Sequence, residues 1–249
     1  MAPEDGTPRT APDGGQAAAD DMPTAATDDI AAIGSIADVA RRELYCYVAA
    51  QAHPVRREEA AEAVGMPLHR ARFHLEKLEQ AGLLEADYAR PAGRGGPGAG
   101  RPAKRYRRAD RDVAVSLPQR EYDLAGSLLA SAIDAAAETG EPVTDAVARV
   151  AAARGRELGG AADAADPLDA AAEVLAEHGY EPRRTERGVE LANCPFHELS
   201  RAHTRLVCGM NEALLSGVAD AVAPGALRAR LDPAPGRCCV VIEPDASAD

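Results

Sequence analysis

The stretch from Val55 to Tyr106 limits most strongly what this chain can fold into. Its centre reads Gly65-Met66-Pro67-Leu68-His69-Arg70-Ala71-Arg72-Phe73-His74-Leu75-Glu76-Lys77-Leu78-Glu79-Gln80-Ala81-Gly82-Leu83-Leu84. Phe73 or Leu75, together with Leu78 and the flanking Leu68, falls on one side of a helix, and Arg70, Arg72 and Lys77 fall between them. Pro67 suits the first turn of that helix, where its missing N–H costs nothing. The spacing predicts a helix from about Pro67 to Ala81. A preceding helix is expected over Val55 to Val64, with Ala60, Ala61 and Val64 inward and Gly65 as the tight turn between the two. An earlier helix carries Ile36, Val39, Ala40, Leu44, Tyr47 and Val48, with Ser35 as its expected N-cap and Asp38 at capping-box spacing. Cys46 within it reads as a small bystander or core residue.

After this run the chain becomes basic and rich in Gly and Pro: Gly93, Gly95, Gly96, Gly98 and Gly100, with Pro91, Pro97 and Pro102, and with Arg90, Arg94 and Arg101 among them. Strands are expected on either side, at Leu83 to Tyr88 and about Lys104 to Arg108, with Tyr106 packing the hairpin back onto the helices. Helix, Gly turn, helix and basic hairpin describe a winged helix-turn-helix. The run His74-Leu75-x-x-Leu78-Glu79-x-x-Gly82-Leu83 and the later Gly100-Arg101-Pro102-x-x-x-Tyr106 resemble the ArsR-like winged helix-turn-helix transcriptional regulators. That resemblance implies a DNA-binding protein, usually a dimer on two half-sites, with the N-terminal half of the third helix in the major groove. The expected DNA-facing residues are His69, Arg70, Arg72, Phe73, His74 and Lys77 on the helix, and Arg90, Arg94, Arg101, Lys104 and Arg105 on the hairpin.

A net charge of −12 looks wrong for such a protein until it is divided along the chain. Residues 1–34 hold seven acidic residues and one Arg, net −6. Residues 35–110 hold 14 basic and 10 acidic residues, net +4. Residues 111–249 hold 13 basic and 23 acidic residues, net −10. One basic segment on an acidic body is the footprint of a local DNA-binding face. Residues 1–34 have no hydrophobic period and read as a disordered acidic tail. No apolar run reaches the roughly 18 residues of a membrane span, and no signal peptide is visible, so a cytoplasmic protein without a membrane partner is expected.

Beyond the boundary at Ser116-Leu117-Pro118, two helices are expected, at about Gln119 to Thr139 and Val143 to Leu158, and read as a linker and dimerisation element over 111–160. Residues 161–249 read as a small α+β domain. It comprises a helix from Asp166-Pro167 to about His178 ended by Gly179, a hairpin from Tyr180 to Ala192, a helix from about Glu198 to Val218, and strands at Leu227 to Leu231 and Cys238 to Ile242. The expected fold is thus mainly α with small β, from an N-terminal winged helix-turn-helix over 35–110 to this C-terminal domain.

That domain holds four of the five cysteines: Cys194, Cys208, Cys238 and Cys239. Thiolate and imidazole are the ligands that zinc, iron or an iron–sulfur cluster would take. If Cys238 and Cys239 share a strand, their side chains point to opposite faces, so only one can join the others. A metal site of Cys194, Cys208 and Cys238, with His197 or His203 as candidate fourth ligand, follows. The arrangement Asn193-Cys194-Pro195-Phe196-His197, Leu206-Val207-Cys208 and Gly236-Arg237-Cys238-Cys239 also resembles the C-terminal sensor of SufR-type iron–sulfur-sensing regulators, which implies a cluster or metal that switches DNA affinity. Those proteins carry a further Cys between the second and last positions, and Gly217 to Gly225 has none. That leaves a histidine-completed cluster, a zinc site or a thiol switch. No nucleophile–base pair, phosphate loop or supported carboxylate pair points to an enzyme. The expected function is a dimeric regulator of a double-stranded DNA operator, with a small-molecule sensor or a metal- or thiol-dependent enzyme as alternatives.

Overall fold

A computed structural model describes residues 24–89, 102–160 and 164–245 of the chain. It divides into two compact units, residues 1–115 and 116–249. Both combine helices with a small antiparallel sheet, so the broad expectation of a mainly α chain with some β is met. No described helix is long and apolar enough to cross a membrane.

In the first unit, helix α1 (Thr24–Ser35) precedes α2 (Val39–Ala49), β1 (Val55–Arg56), α3 (Arg57–Ala63), α4 (Leu68–Gln80), β2 (Leu84–Ala89) and β3 (Ala103–Arg108). Helix α1 corrects the expected end of the disordered tail. Ala32 is fully buried in the core, and the Asp29 carboxylate accepts hydrogen bonds from Arg111 at 2.6 Å and from the Ala114 backbone N–H at 3.1 Å. The N-cap of α2 is Asp38, not Ser35: its carboxylate accepts the Arg41 backbone N–H at 3.0 Å. That bond holds the Asp38 carboxyl below its usual pKa. The expected helix over Val55 to Val64 is also shorter, because Val55 and Arg56 pair as a strand opposite Tyr106 and Arg105. Gly65 stands at φ 64°, the left-handed conformation that lets α3 turn into α4 within a few residues. Strands β2 and β3 pair from Leu84 opposite Arg108 to Ala89 opposite Ala103, giving the sheet order β1-β3-β2. The core joins Leu44, Val48, Val55, Ala60, Ala71, Leu75, Leu78 and Leu84 with Tyr106, whose ring is fully buried.

The second unit runs α5 (Tyr122–Thr139), α6 (Val143–Gly159), α7 (Pro167–Glu177), β4 (Pro182–Thr185), β5 (Gly188–Leu191), α8 (His197–Ala202), α9 (Thr204–Val222), β6 (Leu227–Leu231) and β7 (Val240–Pro244). The strands form one antiparallel sheet in the order β4-β5-β7-β6. Helices α5 and α6, read from sequence as a linker and dimerisation element, belong to this unit's core. Leu128, Ala132, Val147 and Ala151 pack with Leu175, Tyr180, Leu191, Phe196, Met210, Leu214 and Ile242. Helix α6 lies so close along α9 that a Cβ on Gly155 would stand 1.9 Å from the Leu214 carbonyl oxygen. A Cβ on Gly217 would stand 2.1 Å from that of Ala152. Only glycine allows backbones to approach in this way.

Gly155→Ala and Gly217→Ala should therefore each destabilise the protein by about 1–3 kcal/mol or more through overpacking. Gly126→Ala is the control, because a Cβ there meets nothing within 4 Å and Ala favours the α5 interior by roughly 0.5–1 kcal/mol. Chemical denaturation of the three variants measures both signs, and a neutral Gly155→Ala would refute the close packing.

Candidate functional site

Two groups of side chains stand out, one in each unit. In the first, α4 is sharply two-sided. Ala71, His74, Leu75 and Leu78 are buried, while Leu68, His69, Arg70, Arg72, Phe73 and Lys77 are exposed. An exposed Phe73, 56 % accessible among cations, is the unusual member of that face. Arg72 donates to Glu76 at 3.0 Å and Lys77 to Gln80 at 3.1 Å, whereas Arg70 has no ion-pair partner among the described residues.

Three expected DNA-facing residues are placed otherwise. His74 is 7 % exposed, its ring edge-on to Phe73, with a buried Nδ1 that no hydrogen bond satisfies. Its position, three residues after Ala71 and four before Leu78, puts it on the core stripe. Lys104 is ion-paired to Glu79 of α4 and lies 5.2 Å over the Tyr106 ring, so it ties the hairpin to the helix. Arg105 makes a two-pronged pair with Asp87 on the opposite strand, at 2.8 and 2.7 Å, and holds that carboxyl below its usual pKa. The acids that hold these two cations lie 18 and 25 residues away in the chain, so no local pattern announces them. Arg90, Arg94 and Arg101 lie outside the described residues.

In the second unit four thiols come together. Cys194 follows β5, Cys208 lies on the buried side of α9, and Cys238 and Cys239 immediately precede β7. The expectation that the vicinal pair splits across a strand is corrected here. The Asp232–Arg237 turn delays the strand to Val240, so both residues sit in irregular backbone. The Cys238 N–H donates to Leu191 O at 2.8 Å, which hooks this segment beside the start of the Cys194 loop. The Cys239 carbonyl accepts the Asp232 N–H at 2.7 Å. The thiols influence one another in a string: Cys194 with Cys238, Cys238 with Cys239, and Cys239 with Cys208. All five cysteines are free thiols.

Negative charge in this string settles on Cys238. The Asn211 amide donates to its sulfur at 3.3 Å, and against the cost of burial the neighbouring Cys194 and Cys239 thiols and the Val240 N–H favour its charged form. Its pKa is driven far below the ordinary thiol value. Hydrogen bonding to Cys238, reinforced by burial, pushes Cys194 and Cys239 up. Asn211 is itself 1 % exposed, and its Oδ1 accepts the hydroxyl of the buried Tyr180. A second network holds the Cys194 loop. Arg120 donates to Asn193 Oδ1 and to Cys194 O, both at 2.7 Å, and Asn193 donates to Gln119 O and Gly179 O.

Sequence reasoning missed Asn211, Tyr180 and Arg120. Asn211 left a signal: it is a polar residue within the apolar period Val207, Met210, Leu214, Leu215, and such a residue must find partners. The two histidines expected as fourth ligand are not in the group. His197 is half exposed, with its ring 3.9 Å from Glu198, and His203 is exposed at the junction of α8 and α9. As chemistry, four thiols are a soft-metal donor set. As geometry, no three Cys, His, Asp or Glu side chains among the described residues converge on a point where an ion would sit. Of the Cys/His set expected from sequence, the thiols are neighbours and the two histidines stand apart from them.

No family model matches this chain, and no curated protein or solved structure is similar to it.

Two measurements follow from the thiol network. Asn211→Leu removes the donor to Cys238 and the acceptor of Tyr180, so the Cys238 pKa should rise and stability should fall by about 1–3 kcal/mol. Ultraviolet thiolate titration and denaturation read the two effects, and an unchanged titration would remove Asn211 from the site. The second concerns pH. In the fold Cys194, Cys239 and Tyr180 keep protons that the unfolded chain releases from about 8.5 for thiols and about 10 for tyrosine. Their contribution is fully present below those values and declines as pH rises above them. Cys238 acts oppositely, its contribution being lost as pH falls through its depressed pKa. Three raised groups against one lowered group make the protein lose stability on the alkaline side, which denaturation at a series of pH values would check.

Proposed function

We propose that this protein is a DNA-binding transcriptional regulator. Its first unit acts as a winged helix-turn-helix, and the thiol state of its second unit is the input. The observation that carries the reading is the exposed face of α4. His69, Arg70, Arg72, Phe73 and Lys77 share one accessible side of a helix whose other side is locked into a core by Ala71, Leu75 and Leu78. A helix held this way presents cations and one aromatic edge to a groove, with arginines that can pair with guanine. The β2–β3 hairpin next to it is the wing. Of the cations expected there, Lys104 and Arg105 are structural, and Arg90, Arg94 and Arg101 in the basic segment between the strands are assigned the DNA contacts. The acidic second unit repels phosphate and so confines binding to this face. The protein acts as a homodimer, as winged regulators that pair two half-sites do, and it works in the cytoplasm, where free thiols are the resting state.

A second input reading rests on a groove of about 860 Å³ along α6 and α9, lined by Val147, Ala148, His203, Leu206, Met210 and Ala213. Its size suits a small organic ligand. In that case the cysteines are structural, and DNA affinity is indifferent to their oxidation.

Selection of a preferred duplex from a random pool, followed by anisotropy titration, tests the main reading. Arg70→Ala with Arg72→Ala should weaken binding to the selected duplex by at least tenfold, since each specific arginine contact discriminates by about 1–3 kcal/mol. Lys77→Ala should weaken all duplexes alike and lower the salt-dependence slope by about 1. If both variants bind as the parent does, α4 is not the DNA-reading helix.

A further inference from the structure

We propose that Cys194 and Cys238 are the pair that closes into a disulfide when the protein meets a hydroperoxide, and that the segment Gln119–Glu121 reports the closure. The inference rests on the thiol-input reading above and names its chemistry.

Three pairs of neighbouring thiols influence one another, and their surroundings differ. Cys208 lies in the first two turns of α9, on its buried side, and that helix is held against α6 by the glycine contacts. Closing Cys208 with Cys239 would have to move that helix or strain the bond. Cys238 and Cys239 are adjacent, and a bond between them must deform the peptide that joins them. Cys194 lies in a non-helical loop between β5 and α8 and is partly exposed, and Cys238 is hooked to the root of the same loop through Leu191. This is the pair whose backbone can adjust to the roughly 4.4–6.8 Å Cα separation of a disulfide. Cys194, like Cys239, is partly exposed, which gives a peroxide a way to the pair.

The step balances. The two sulfurs share one proton, held on Cys194. The Cys238 thiolate takes the terminal oxygen of the hydroperoxide, whose O–O bond breaks. An alkoxide, or hydroxide from hydrogen peroxide, leaves and is protonated by solvent. The Cys194 thiol then attacks the Cys238 sulfenic acid, forming the S–S bond, and its proton leaves with the hydroxyl as water. Two thiols are oxidised by two electrons, and one peroxide bond is reduced.

The consequence lies in what the Cys194 loop holds. Arg120 grips Asn193 Oδ1 and Cys194 O, the Glu121 N–H donates to Pro195 O at 3.2 Å, and Asn193 donates to Gln119 O. Residues 119–121 stand at the start of the second unit, a few residues after the first ends at Val115. A loop drawn toward Cys238 shifts three acceptors and one donor together and loosens the segment that leads to the DNA-binding unit.

The test uses the full chain and hydrogen peroxide. Peptide mapping under non-reducing conditions should find a Cys194–Cys238 cross-link two hydrogens lighter than the reduced peptides, and Cys208→Ala and Cys239→Ser should retain it. Hydrogen exchange at the Glu121 amide should rise at least tenfold on oxidation and return with reductant. A dominant Cys238–Cys239 or Cys208–Cys239 link, overoxidation without a link, or unchanged exchange at Glu121 would overturn the proposal. The two readings fail separately. A cross-link in a protein that binds no duplex removes the regulator reading and leaves the disulfide pair standing. Duplex binding without the cross-link does the reverse.

Discussion

The second unit depends on one backbone contact, the approach of α6 to α9 at Gly155 and Gly217. Each glycine faces a carbonyl of the opposite helix at a distance that a methyl group would abolish. Dispersion between two helices falls steeply with separation, so this closeness lets small residues such as Ala151 and Ala152 contribute packing that larger side chains supply elsewhere. A chain with two phenylalanines and no tryptophan has few bulky residues to fill a core. It compensates by reducing the space. The same contact fixes the axis of α9, and with it the positions of Cys208 and Asn211, so thiol placement rests on glycine placement some distance away.

The first unit solves a different problem. Its core is aliphatic but for His74 at its edge and Tyr106, a tyrosine carried on β3 into the space between the helices. Lys104 lies over that ring, and Arg57 donates to its hydroxyl at 3.3 Å. The hydroxyl thus stays satisfied while the ring is sealed from water. The hairpin is consequently attached by a side chain and two cations as well as by strand pairing.

Much of this was legible in the sequence, and the failures have specific causes. The α4 helix, the Gly65 turn, the β2–β3 hairpin and the two-residue accuracy of its strands followed from period and turn chemistry. Helix α1 did not, because its Ala-rich composition resembles that of the polar tail before it, and burial of Ala32 is decided by distant residues. The packing of α5 and α6 into the second unit's core was not legible because amphipathic helices look alike whether they face their own sheet or a partner. His74 was ambiguous on paper because it lies between a cationic face and an aliphatic one. Cys238 and Cys239 were misplaced because a two-residue delay in the start of a strand reverses the meaning of alternation. The partners of Asn211 and Arg120 lie 27 to 74 residues away, beyond any local pattern.

The hook from Cys238 to Leu191 also bears on how the chain matures. Its sulfur string draws on residues on both sides of α9, and the last two members belong to the final strand segment. A ribosome releases Cys194 and Cys208 well before Cys238 and Cys239, so the nascent chain carries two exposed thiols with no charge-bearing neighbour until its C-terminal strand pairs into the sheet. Reactivity at this site is thus acquired only once this segment has joined the sheet, and a chain in which it has not joined has Cys194 and Cys208 without their chemistry.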